Sequence, residues 1–78
     1  MGRIVFDTKI LGGKPIIKGT RISVDFILEL LSSGMSIELV LKEYKHLKRD
    51  DILSALEYAS KVIKREEIIP IIPKTNIA

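Results

Sequence analysis

Seventy-eight residues allow one domain and not two, and a chain this short buries only roughly 60 to 65% of the surface that its unfolded form exposes. With no cysteine, neither a disulfide nor a thiolate zinc site can supplement that core, and the single His46 cannot build a metal site alone, so no cofactor is expected and oligomerisation, here a homodimer, is the usual remaining supplement. The net charge of +3 is unevenly spread: residues 1–22 carry five basic side chains against one acid, a net +4, whereas residues 23–78 carry eight against nine, a net −1.

Arg3-Ile4-Val5-Phe6-Asp7 is β-branched and aromatic, which predicts a first strand with Ile4 and Phe6 on one side and Arg3, Val5 and Asp7 on the other. Thr8 to Gly13 reads as a loop and Lys14 to Lys18 as a second strand that pairs with the first. The stretch from Gly12 to Val24 organises the chain, since it holds three of the five glycines and one of the three prolines. Gly12 and Gly13 permit backbone angles closed to other residues, Pro15 fixes its own φ, and Gly19 makes a second break. Ser23 then reads as a helix N-cap, with Asp25 placed against the helix dipole.

The first helix is predicted over about Val24 to Ser33, with Ile27, Leu28, Leu30 and Leu31 apolar and Gly34 as its stop. A helix apolar nearly all round is buried on several sides, which in so small a protein suggests a partner chain. Ser36 caps a second helix, Ile37 to Tyr44, whose Ile37, Val40, Leu41 and Tyr44 recur at helical spacing and leave Leu39 outside. After a basic turn, Lys45 to Lys48, a third helix is expected over about Arg49 to Arg65. Its apolar face is Ile52, Ala55, Leu56, Ala59, Val62 and Ile63, with Asp50, Ser54, Glu57, Lys61 and Lys64 outside.

The expected architecture is therefore mostly α with a short N-terminal β-ribbon, a three-helix helix-turn-helix domain over residues 1–65. Residues 66–78 form an extended tail, because Pro70 and Pro73 exclude helix and central strand. Ile68, Ile69, Ile71 and Ile72 make a sticky strip there that calls for a covering partner. No apolar run reaches the ~18 residues of a membrane span and the start lacks a signal-peptide pattern, so a cytoplasmic protein is expected.

Three function classes are weighed by their residues. For an enzyme, Ser23, Ser36 and Ser54 have no histidine in a recognisable arrangement, the acids are scattered, and Gly19-Thr20-Arg21 is only superficially like a phosphate loop. No enzymatic role is expected. For DNA, the helix pair with its basic turn has a helix-turn-helix outline, and Lys14, Lys18 and Arg21 together with Lys45, Lys48 and Arg49 can hold phosphates. Asp50 and Asp51, in the first turn of the would-be recognition helix, repel a polyanion and favour a third class, a protein-interaction or oligomerisation module in which the lysines only confer solubility.

The core Gly12-Gly13-Lys14-Pro15-Ile16-Ile17-Lys18-Gly19-Thr20-Arg21-Ile22, followed by Ser23-Val24, a Leu-rich helix, Gly34-Met35-Ser36, Tyr44, Leu47 and Asp51-Ile52 through Ala55-Leu56-Glu57-Tyr58-Ala59, resembles the domain-of-unknown-function family 433. The resemblance runs from about Ile4 to Ala59. It implies a winged or homeodomain-like helix-turn-helix that acts as the antitoxin and autoregulator beside a PIN-like nuclease toxin. On that reading Lys14, Lys18, Thr20, Arg21, Lys45, Lys48 and Arg49 contact DNA, and Ile68, Ile69, Ile71 and Ile72 engage the protein partner. The chain departs from the family pattern at Lys45, where proline is usual, at Lys48, where a capping Thr or Ser is common, and at Leu39, where an acid is usual.

Overall fold

The computed structural model describes residues 3–64. Two short strands, β1 (Ile4–Phe6) and β2 (Pro15–Ile17), pair antiparallel with Ile4 opposite Ile17, Val5 opposite Ile16 and Phe6 opposite Pro15. Three helices follow, α1 (Val24–Ser32), α2 (Ile37–Glu43) and α3 (Arg49–Lys64). The mostly helical domain with an N-terminal ribbon is thus the observed fold, with each strand one residue shorter at either end than expected. Ile68, Ile69, Ile71 and Ile72 lie outside the described residues.

The loop between the strands closes through a short 3-10 turn at Leu11–Gly13, where Gly12 and Gly13 take φ of +69° and +88°. Local chemistry sets the helix boundaries. The Ser23 hydroxyl accepts the Phe26 amide at 3.1 Å and the Ser36 hydroxyl accepts the Leu39 amide at 3.1 Å, so both expected N-caps are made. At the end of α1, Gly34 adopts φ +105°, its amide bonds the Leu31 carbonyl at 3.0 Å, and the Met35 amide reaches back to the Leu30 carbonyl at 3.3 Å. Those two bonds are a Schellman stop.

The core gathers residues from every element but β1: Ile17, Val24, Ile27, Val40, Leu47, Ile52 and Ala55 are all buried, and Ile4 packs on them from β1. The sides of α1 that the sequence reserved for a partner chain are largely met within the chain, since α1 touches β2, α2 and α3. Its Phe26 meets Tyr44 edge-on, centroids 5.6 Å apart, which holds the α2–α3 turn against the start of α1.

The face of α3 is rotated from the expected one. Asp51 and Ser54 are buried, whereas Leu56 and Ile63, expected inside, are exposed. Leu53 is exposed as well. The inward positions are therefore Asp51, Ile52, Ser54 and Ala55, continuing through half-buried Tyr58, Ala59 and Val62. The rotation has a polar cause, because a buried carboxylate at the start of the helix is held from two sides.

Candidate nucleic-acid interface

Lys48 precedes the first residue of α3 and has no side-chain oxygen with which to cap it. Asp51 supplies the missing oxygen: its Oδ2 accepts the Lys48 amide at 2.9 Å, the reciprocal half of a capping box. Its other oxygen, Oδ1, accepts the Arg3 Nε at 2.6 Å. The Asp51 side chain is 0% exposed and that of Arg3 43% exposed, so the pair leads from the interior to the surface. The bond from Arg3 to Asp51, and then its Coulomb attraction, raises the guanidinium pKa above its already high ordinary value.

This bridge joins the ribbon to the helix-turn-helix. Arg3 precedes β1, and its carbonyl accepts the Lys18 amide at 2.7 Å at the far end of β2. Farther along, Phe6 meets Tyr58 edge-on at 6.0 Å. From Arg3 to Phe6 a strand advances about 10 Å, and from Asp51 to Tyr58 a helix advances about 10 Å, so β1 lies alongside α3 in register.

Lys18 and Arg21 flank a tight turn that Thr20 builds. The Thr20 hydroxyl donates to the Ile17 carbonyl at 2.8 Å and accepts the Ile22 amide at 2.9 Å, while Gly19 takes φ +80°. With its proton committed inside the turn, Thr20 shapes the loop and has none to offer a phosphate. Lys18 and Arg21 are exposed, with no side-chain partner among the described residues. Beside them a hollow of about 520 Å³ is lined by Val5, Asp7, Ile10, Ile16, Gly19, Thr20 and Arg21.

Of the seven residues expected to contact DNA, Lys18 and Arg21 flank one turn and Lys45 and Lys48 lie in another. The Arg3–Asp51 bridge ties the residue whose carbonyl accepts the Lys18 amide to the start of α3, and the Phe26–Tyr44 contact ties the second turn to the start of α1. Arg49 follows Lys48 but pairs with Glu38 at 3.4 Å on the surface. Lys14 stands apart at the other end of β2, paired with Asp25 at 3.1 Å. Asp50 is the exposed acid of the first turn, whereas Asp51 is buried and paired with Arg3.

The sequence reading missed Arg3 and Asp51 as a unit. The signal was present, since a carboxylate three residues after a non-capping Lys48 is a cap in waiting. The long-range partner, forty-eight positions away, had no such local sign. Among the described residues no group of three or more His, Cys, Asp or Glu side chains could hold a metal ion, and no helix is long and apolar enough to cross a membrane.

The class defined by this fold is a small three-helix domain with an N-terminal ribbon, in which α2, the turn Tyr44–Lys48 and α3 have the helix-turn-helix outline. Residues 4–59 match the family described as a protein of unknown function, DUF433, and the chain belongs to that family. No curated protein and no solved structure matches it.

Proposed function

We propose that the chain binds double-stranded DNA through the basic face formed by Lys18, Arg21, Lys45 and Lys48, with α3 as the helix presented to the major groove. The observation that supports this reading is the Arg3–Asp51 bridge, which ties the ribbon to the turn before α3. Two turns whose four cations have no side-chain partner among the described residues suit phosphates flanking a groove, where charge gives affinity and register. On this reading the protein is the antitoxin and autoregulator of a pair with a PIN-like nuclease toxin in the cytoplasm, and the segment containing Ile68, Ile69, Ile71 and Ile72 engages the toxin. It works without catalysis or a cofactor.

A second reading, an interaction module without nucleic-acid binding, is favoured by one observation: an apolar groove of about 410 Å³ beside the C-terminal half of α3. The two readings separate in one experiment. Fluorescence anisotropy of the full chain against its own upstream DNA and a scrambled duplex, across a salt series, is expected to show binding to the upstream DNA that outlasts the control as salt rises. Lys18→Ala with Arg21→Ala is expected to weaken binding to both duplexes and to flatten the log–log salt slope by about 2. Absence of binding at low salt, or a slope unchanged by that double variant, establishes the interaction module instead.

A further inference from the structure

The ribbon is closed along one edge and open along the other. In β2 the Ile17 amide turns away from β1 and bonds the Ile22 carbonyl at 2.9 Å, and Ile16 is bridged to Ser23, so the outer edge of β2 is covered. That direction fixes the parity of β1. The Lys18 amide reaches the Arg3 carbonyl at 2.7 Å and Val5 lies opposite Ile16, so Arg3 and Val5 turn their backbone groups to β2, whereas Ile4 opposite Ile17 and Phe6 opposite Pro15 occupy the non-bonded positions. The amides and carbonyls of Ile4 and Phe6 therefore point outward along β1, and none of them is hydrogen-bonded among the described residues. An edge of this kind accepts another strand.

We propose that this edge is completed by residues 69–71 of the same chain, as a third strand antiparallel to β1, with Ile69 opposite Phe6, Pro70 opposite Val5 and Ile71 opposite Ile4. Direction favours this occupant: Arg3 meets Asp51 and Phe6 meets Tyr58, so β1 and α3 run the same way, and a chain that leaves α3 at Lys64 and returns along β1 is antiparallel to it. Reach favours it too. Lys64 lies six helical residues past Tyr58, about 9 Å, and the five peptide steps from Lys64 to Ile69 cover up to about 16 Å. Parity then selects the register: Ile69 and Ile71 bond the edge, while Pro70, which has no amide hydrogen, falls at the non-bonded position and Pro73 falls beyond the start of β1. A shift of one residue in either direction sets Pro70 against Ile4 or Phe6 and loses a bond.

Directly opposed residues of an antiparallel pair share a face. Ile69 and Ile71 then stand on the side of Ile4, which packs on the core, and of Phe6, which is 59% exposed. Ile68 and Ile72 fall on the other side, with Val5. Two strands of three residues are marginal by themselves, and a third strengthens the ribbon. The four isoleucines are thereby divided: Ile69 and Ile71 complete the sheet, and Ile68 and Ile72 stay available to a protein partner. Only that last assignment rests on the antitoxin reading.

Nuclear magnetic resonance of the full chain at low concentration, without DNA or partner, tests the strand. An Hα–Hα contact between Val5 and Pro70 is expected, since the α-carbons of a non-bonded pair stand about 4.5 Å apart. The Ile4 and Phe6 amides are expected to exchange at least about tenfold more slowly than in Ile71→Pro, which removes a bonding amide. Ile72→Pro removes an outward amide and is expected to keep that protection. Unprotected Ile4 and Phe6 amides in the unaltered chain overturn the proposal, as does protection that Ile71→Pro leaves intact or that both proline variants abolish equally. A Val5–Pro70 contact found only between differently labelled molecules in a mixed sample assigns the strand to a second copy and also overturns it. The functional reading fails separately: a chain that forms the strand but binds neither DNA nor a nuclease leaves this inference standing, and one that binds DNA without the strand removes only the strand.

Discussion

The two halves of α3 differ in how they are held. In the first half Asp51, Ile52, Ser54 and Ala55 are buried and the one inward charge is matched by Arg3 and the Lys48 amide. In the second half Tyr58, Ala59 and Val62 are half-exposed and Ile63 is in solvent. The start of α3 is therefore more deeply buried than its end. A directional polar bridge sets the position and rotation of the helix, whereas apolar side chains stay exposed at its end among the described residues.

The sharpest way to break that contrast is Asp51→Ala. It removes the carboxylate cap and leaves the Lys48 amide without its partner, so we expect a loss of about 2 to 4 kcal/mol in urea unfolding. For a domain this small that loss is a large share of the whole stability. Val62→Ala in the second half of the helix, where the side chain is only half-buried, is the comparison and is expected to cost less. Equal losses would remove the distinction between the two halves. Arg3→Ala is expected to destabilise as well, because it strands the buried carboxylate with one partner fewer.

Phe6 sharpens the other side. Its ring meets Tyr58 edge-on, yet much of it stays in water, so Phe6→Ala is expected to cost about 1 kcal/mol or less within one chain. A loss as large as that of Asp51→Ala would mean that the end of α3 is as firmly held as its start.

Much of this arrangement is legible in the sequence because its causes are local. Ser23 and Ser36 cap helices through the amide three residues on, and Gly34 stops α1 because the chain turns through positive φ there. The rotation of α3 was not legible. Hydropathy alone places Leu56 and Ile63 inside and Ser54 outside, while the true face is turned by Asp51, whose partner Arg3 sits at the other end of the described chain. A charge enters the core only when a distant charge meets it, and periodicity carries no record of that meeting. The candidate basic residues divide in the same way: Lys18 and Arg21 flank one short turn that the sequence shows, but the tie between that ribbon and the turn before α3 is a product of the fold. The separation of Lys14 likewise follows from Asp25, which lies across the start of α1.

The smallest effect concerns that last pair. The Asp25 carboxyl is held below its ordinary value of 3.8, first by the bond to the Ser23 side chain and then by the bond to Lys14. A carboxylate with a lowered folded pKa adds stability that is present above its unfolded pKa and is lost as pH falls through the folded one. Because Asp25 and Lys14 are both more than half exposed, solvent screening leaves a few tenths of a kcal/mol. Asp25→Asn should therefore flatten the acid limb of a urea-midpoint profile by that amount and leave the neutral plateau lowered equally.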